Sequence, residues 1–190
     1  MGRMLSPGNP LFASLNAYAR SVCHALELPH GHTFHAEVFV APDRELSLCE
    51  IACRTGGGRI NETLRSSGGP DLNQLQFLIQ TGAQNAAQVR DLLQASEPEA
   101  LCGWMLIAPQ PGLCVAVPDF GDLEGVRAAE LRVTAGEEGW ERAYSGDSMG
   151  HLIIAGDTEE ALRARMGGAV GRLQHQLRFE HQEALDAAFA

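Results

Sequence analysis

The chain has 190 residues, 45% of them hydrophobic, and sets 24 acidic side chains against 14 basic ones for a formal net charge of −10. That length and apolar content suffice for a packed core in one or two domains, whereas the acidic balance, with no arginine-rich patch to offset it, disfavours nucleic acid and anionic membrane surfaces as partners. All 14 basic residues are arginines, and the chain contains no lysine.

The stretch Met1 to Pro7 lacks the apolar core of a secretory signal, and no apolar run approaches the roughly 20 residues of a bilayer span, so the expected compartment is the cytoplasm. Asn9-Pro10 opens a helix with proline at its first position, and Leu11, Leu15, Tyr18, Val22 and Leu26 form an apolar stripe along it until Pro29-His30-Gly31 ends it. Two strands come next, His32 to Val40 and Leu46 to Arg54, joined by a tight turn at Pro42-Asp43-Arg44-Glu45. Pairing Pro42 with Glu45 sets Glu37 opposite Glu50. The period of two then places Arg54 on the Glu50 face and His35 beside Glu37, and turns Cys49, Ile51 and Cys53 to an apolar face with Ala36, Val38 and Val40.

Like charges directly opposite on a ladder cost a few tenths of a kcal/mol to about 1 kcal/mol, so a facing Glu37 and Glu50 call for a compensating partner. A divalent cation is one: Mg²⁺ takes carboxylate oxygens and keeps waters or phosphates as its remaining ligands. The same residues also fit a hairpin with one solvated face. Gly56-Gly57-Gly58 fits a flexible turn as well as a loop that substrate could approach closely, and a glycine loop alone is weak evidence for phosphate binding. His30, His32 and His35 cluster near Glu37 and offer a second, transition-metal type of site. His24, His175 and His181 fall in helical stretches at surface positions.

Beyond the loop, Gly68-Gly69-Pro70-Asp71 is a break. Leu72, Leu75, Leu78 and Ile79 mark a helix that Gly82 stops, and a second helix runs from Asn85 to Ala95. The character changes at Glu97-Pro98. Cys102 to Ala108, Leu113 to Val117, Ala129 to Thr134 and His151 to Ala155 are predicted strands of one small antiparallel layer, with turn chemistry at Gly146-Asp147-Ser148-Met149-Gly150. Asp157 as N-cap with Glu160 three residues on opens a last helix that packs through Leu162, Met166, Ala169, Val170, Leu173 and Leu177. Gly167, Gly168 and Gly171 weaken that helix, which predicts tight packing against another element there. Five cysteines, an odd number with no CxxC pair, argue against a disulfide framework or a structural zinc. The expected fold is α+β, an antiparallel sheet with flanking helices, divided into residues 1–96 and a small β-rich lobe over residues 97–190.

The segment from Gly31 to Val40, with Leu48-Cys49-Glu50-Ile51-Ala52-Cys53-Arg54-Thr55-Gly56-Gly57-Gly58 after it, resembles the C-terminal half of the ATP-grasp domain. The style is that of carboxylate-amine ligases such as L-amino acid ligases and carnosine synthase, with biotin carboxylase-like proteins as more distant relatives. The shared pattern is a strand carrying a glutamate, then a second strand reading E-I/V-N/A-x-R before a glycine loop. On that resemblance Glu37 and Glu50 would be Mg²⁺ ligands that hold nucleotide phosphates. Arg54 would face the transferred phosphate or the acyl phosphate, His35 would line the groove, and Gly56, Gly57 and Gly58 would form the substrate-facing loop. Ala52 departs from the commoner asparagine, which also touches the metal.

The resemblance further implies that the complete enzyme uses ATP and Mg²⁺ to join a small-molecule carboxylate to an amine. Its nucleotide-holding lysines lie upstream of the motif, and a chain without lysine cannot supply them. The expectation is therefore the last half of a ligase, inactive alone, whose N-terminal ATP-grasp lobes come from a longer polypeptide or a partner chain. The alternative is a non-catalytic subunit or association module that covers exposed apolar surface as a homodimer. An unrelated α+β domain with a charged hairpin is a third reading.

Overall fold

A computed structural model describes residues 1–180. In chain order the elements are β1 (Gly2–Arg3), α1 (Pro10–Ala25), β2 (His35–Val40), β3 (Leu46–Ala52), α2 (Ile60–Ser66), α3 (Leu72–Gln80), α4 (Ala86–Ala95) and β4 (Leu101–Ile107). The chain continues with β5 (Gly112–Ala116), β6 (Val126–Leu131), β7 (Glu138–Gly139), β8 (Gly150–Gly156), α5 (Glu159–Gln176) and β9 (Arg178–Glu180). The fold is α+β with antiparallel sheets and five helices among the described residues. The predicted His181 position lies outside them.

The chain divides into two compact units, Leu5–Glu99 and a second made of Met1–Met4 with the residues from Ala100 onward. In the second unit, β8 runs between β4 and β6 in a four-stranded sheet of order β1-β4-β8-β6. Its sequence Gly150–Gly156 is nearly all apolar and every residue is buried, as a strand covered on both faces requires. Leu152 and Ile154 point toward Leu162, Met166 and Ala169 of α5, with Met105 and Phe120 in the same cluster. Ile153 and Ala155 face the other way, against Cys102 and partly buried Met4, Trp104 and Ala128. Burying each such aliphatic side chain contributes about 1.5–3 kcal/mol, so this sheet and helix hold most of the unit together.

The predicted β layer is in fact two sheets. β5 pairs with β7 and β9 in a separate sheet of three strands, whose buried cluster joins Cys114 to Ile107, Val133, Met149 and Leu177. The N-terminal strand has no counterpart in the sequence reading: Gly2 pairs with Trp104 and Arg3 with Gly103. A two-residue strand carries no periodicity by which a sequence could announce it.

The cap of α5 is Thr158, whose hydroxyl accepts from the Ala161 N–H, one residue later than the predicted Asp157. Glu159 and Glu160 thereby fall in the first turn, where negative charge favours the helix dipole. The predicted packing face of α5 is buried or half-buried throughout, but the glycine prediction is overturned. A Cβ added at Gly167, Gly168 or Gly171 would meet nothing within 4 Å. The close approach sits instead at Gly103, where a Cβ would come within 2.5 Å of Met166 Sδ, and at Gly156, within 2.5 Å of the Leu162 backbone nitrogen.

The Leu5–Glu99 unit is built from well-specified local structure. Asn9 accepts from Leu11 N–H and Pro10 takes the first position of α1. Asn85 and Gln88 form a reciprocal capping box on α4, and Gly82, at φ 70°, closes α3. α2 escapes the sequence reading, because its seven residues come after the glycine loop with neither a side-chain cap nor a clear stripe. This unit has little interior. Thr63, Ser67, Leu75 and Val89 are its only buried residues, α1 has none, and all three apolar clusters lie in the other unit. The predicted stripe of α1 is therefore half-buried at best, with Leu26 53% exposed.

Candidate functional site

The strands of the hairpin are shorter than predicted, because backbone pairing ends at His35 and Ala52. Next to the turn Val40 pairs with Leu46, Phe39 with Ser47 and Val38 with Leu48, so the ladder there is offset by one residue from the Pro42–Glu45 pairing. The connection spans residues 41–45: Ala41 N–H donates to Glu45 O, Arg44 N–H donates to Ala41 O, and Arg44 adopts φ 69°. Between Leu48 and Glu50 the register shifts, leaving Cys49 without an opposite number, and Glu37 then pairs with Glu50.

The bulge and the longer turn cancel. A β-bulge adds one residue to one strand and bends and twists that strand beyond it, and here it switches the alternation of β3. Leu46 and Leu48 share a face before it and Ile51 joins that same face after it, opposite Val40, Val38 and Ala36 in turn. The sequence carried this signal: apolar residues fall on even positions up to Leu48 and on an odd one at Ile51. Cys49 and Cys53 are consequently not small hydrophobes on a buried face; both are exposed.

Glu37 and Glu50 are thus opposed on one ladder, with both residues exposed. His35 sits beside them, its side chain 19% exposed, with Nε2 3.2 Å from Glu37 Oε1. The glycine loop is tied at its start through Thr55. Thr55 Oγ1 lies 3.1 Å from Thr33 Oγ1, and Gln76 on α3 accepts from both the backbone N–H and the hydroxyl of Thr33. A Cβ at Gly56 would stand 2.7 Å from His35 Nδ1 and 2.7 Å from Ile60 Cδ1, so only glycine lets the loop lie against the imidazole. Gly58, at φ 65°, occupies a left-handed conformation that likewise favours glycine, whereas a Cβ at Gly57 would meet nothing within 4 Å. Thr33, Gln76 and Ile60 had no sequence signal; their roles arise from α3 and α2 folding back toward β2.

Arg54 lies beyond the end of β3, exposed, and its Nη1 donates to Thr55 O at 3.1 Å. Arg59 pairs with Glu62 at 2.7 Å. Asn61 bonds the Asp71 carboxylate and accepts from Leu72 N–H, which ties α2 to the start of α3. The Asn61 amide first, then the Gln74 N–H and nearby Arg65, hold the Asp71 carboxyl below the usual carboxylate range. His30, His32 and His35 do not converge: His32 Nδ1 meets Gln80 Nε2 at 3.0 Å, and His30 lines a cavity of about 720 Å³ at the end of α1 with Cys23, His24, Glu27 and Phe34. Among the described residues there is no group of three or more His, Cys, Asp or Glu that could hold a metal ion.

The donor chemistry of the hairpin is two opposed carboxylates on an open face. Hard divalent cations that keep most of their ligands as water or phosphate oxygens suit such a pair, and a closed cage of protein ligands is not needed. Among the described residues no helix is long and apolar enough to cross a membrane.

No protein-family model and no curated protein matches the sequence. Solved structures do match the fold. The chain is similar to L-amino acid ligase from Bacillus licheniformis, with 16% identity and a TM-score of 0.66 over 94% of this chain and 44% of that one. It is similar to phosphoribosylglycinamide synthetase from Anaerococcus prevotii, with 12% identity and a TM-score of 0.65 over the same shares. It also resembles N5-carboxyaminoimidazole ribonucleotide synthetase from Thermotoga maritima, with 16% identity and a TM-score of 0.58 over 90% of this chain and 44% of that one. At 12–16% identity these likenesses are likenesses of fold. The chain spans less than half the length of the solved structures it matches.

Proposed function

We propose that this chain is the C-terminal part of an ATP-dependent carboxylate-amine ligase and is inactive without a complementing nucleotide lobe. The observation that carries the reading is Glu37 opposite Glu50, two exposed carboxylates in register beside a glycine loop, within a fold shared with three ligases. In the complete enzyme ATP and Mg²⁺ supply a transferable phosphoryl group and the charge that neutralises it. Glu37 and Glu50 would hold the cation, whose charge would offset their mutual repulsion. Arg54, whose Nη1 donates to Thr55 O, would stabilise negative charge on the transferred phosphoryl group. Gly56, Gly57 and Gly58 let substrate approach the backbone. The reaction would pass the terminal phosphoryl group of ATP to the carboxylate with release of ADP, and an amine would then displace phosphate from the acyl carbon.

The complementing surface has support in the hairpin unit. Among the described residues β2 and β3 pair only with each other, and a two-stranded hairpin alone is marginal. Phe39 at 65%, Phe77 at 65%, Leu26 at 53% and Leu93 at 43% exposure leave apolar area that a partner lobe would cover. The same area favours the second reading, a non-catalytic module that associates as a homodimer.

Titration of Mn²⁺ into the purified chain separates the two. The ligase reading expects binding that is lost in Glu50→Gln, with no ATPase activity from the chain alone. Identical titrations for wild type and variant, together with a dimer by light scattering, would leave the association module standing.

A further inference from the structure

We infer that His35 is a positioning residue: its imidazole holds the Glu37 carboxylate in the orientation that meets a cation, and the Gly56 backbone braces the ring from behind. The inference rests on the metal reading of Glu37 and Glu50 and goes beyond it by assigning His35 a task other than contact with ligand.

Three observations support it. The ring is fixed at both ends, with Nε2 3.2 Å from Glu37 Oε1 and Nδ1 so close to the loop that a Cβ at Gly56 would lie 2.7 Å away. The burial is asymmetric, since the His35 side chain is 19% exposed and that of Glu37 is 53% exposed. An exposed glutamate on its own samples several rotamers, and the less mobile imidazole removes that freedom from one of the two carboxylates. Finally, the loop that carries the brace is itself anchored, through Thr55 to Thr33 and from Thr33 to Gln76. A ligating carboxylate whose second oxygen is hydrogen-bonded is oriented before the metal arrives, and loss of such a partner typically lowers metal affinity 10- to 100-fold.

The arrangement also explains why residue 56 is glycine. Ile60 Cδ1, the other atom a Cβ there would meet at 2.7 Å, is the free end of an aliphatic side chain and can move aside. The imidazole cannot move without releasing Glu37. A methyl at residue 56 therefore acts on a carboxylate that it does not touch.

The test is Mn²⁺ affinity of the full chain, read by electron paramagnetic resonance, in wild type, Glu37→Gln, His35→Ala, His35→Gln and Gly56→Ala, with circular dichroism to confirm the fold. The expected result is loss of binding in Glu37→Gln, affinity about 10- to 100-fold lower in His35→Ala, and a decrease in Gly56→Ala. Recovery is expected in His35→Gln, whose amide nitrogen reaches as far from Cγ as Nε2 does. A folding defect would not be repaired by glutamine. Unchanged affinity in His35→Ala or in Gly56→Ala, with binding still lost in Glu37→Gln, would overturn the positioning role while leaving the metal site intact. Wild type and Glu37→Gln behaving alike would instead remove the metal reading, and the inference with it.

Discussion

At the scale of single residues, the cysteines show how one inserted position changes chemistry. Strict alternation along β3 buries Cys49 and Cys53 with Ile51, but the bulge takes Cys49 out of the ladder and the strand ends at Ala52, so both thiols face solvent. Cys102 and Cys114 are fully buried, and burial pushes both thiols above their ordinary range. A thiol reagent added to the native chain should therefore label Cys49 and Cys53 rapidly, Cys23 more slowly, and Cys102 and Cys114 only on unfolding. Peptide mapping after timed labelling checks this; early modification of Cys114 would contradict the packing of β5. The pairing of Glu37 with Glu50 expected from a tight turn holds only because the bulge at Cys49 offsets a longer turn, and the residues that steady their surroundings, Thr33, Gln76 and Ile60, carried no signal. A glutamine on a later helix carries no mark of the threonine it will meet 43 positions away.

Elements were legible where their ends are chemically signed. Asn9 with Pro10, Asn85 with Gln88, and Gly82 each satisfy a terminal backbone group with a residue type suited to that task, and α1, α4 and α3 begin or end there. Where no such sign exists the reading failed: α2 lacks a side-chain cap. The three glycines of α5 carry a sign whose meaning was inverted. They weaken the helix, yet they face open space rather than a packed neighbour. Gly167 and Gly168 are exposed within the helix, so replacing either by alanine should stabilise the chain by about 0.5–1 kcal/mol by lowering the entropy of the unfolded state. Thermal denaturation of the single variants measures it. A lower Tm in Gly167→Ala or Gly168→Ala would mean that this face of α5 is covered in solution.

For the whole molecule, the contrast is between a unit with a core and a unit without one. β4, β8 and α5 enclose side chains with almost no exposed surface, whereas residues 5–99 bury only four. Hydrogen exchange should be slowest at β8 and fastest across α1 and the β2–β3 hairpin, since local opening is easiest where few apolar contacts are lost. Uniform protection across both units, measured by mass spectrometry, would show that the hairpin unit is already covered. The sequence by itself determined that two strands form a hairpin ahead of a glycine loop, where most helices begin, and the α+β class, because periodicity, capping and turn chemistry depend on near neighbours. Only the tertiary structure decided that β1 joins β4 about a hundred residues later, that β5 leaves the main sheet for β7 and β9, and that the Cys49 bulge offsets the longer turn. Strand partners are chosen by side-chain burial and backbone hydrogen bonding summed over distant segments, and no local pattern carries that sum.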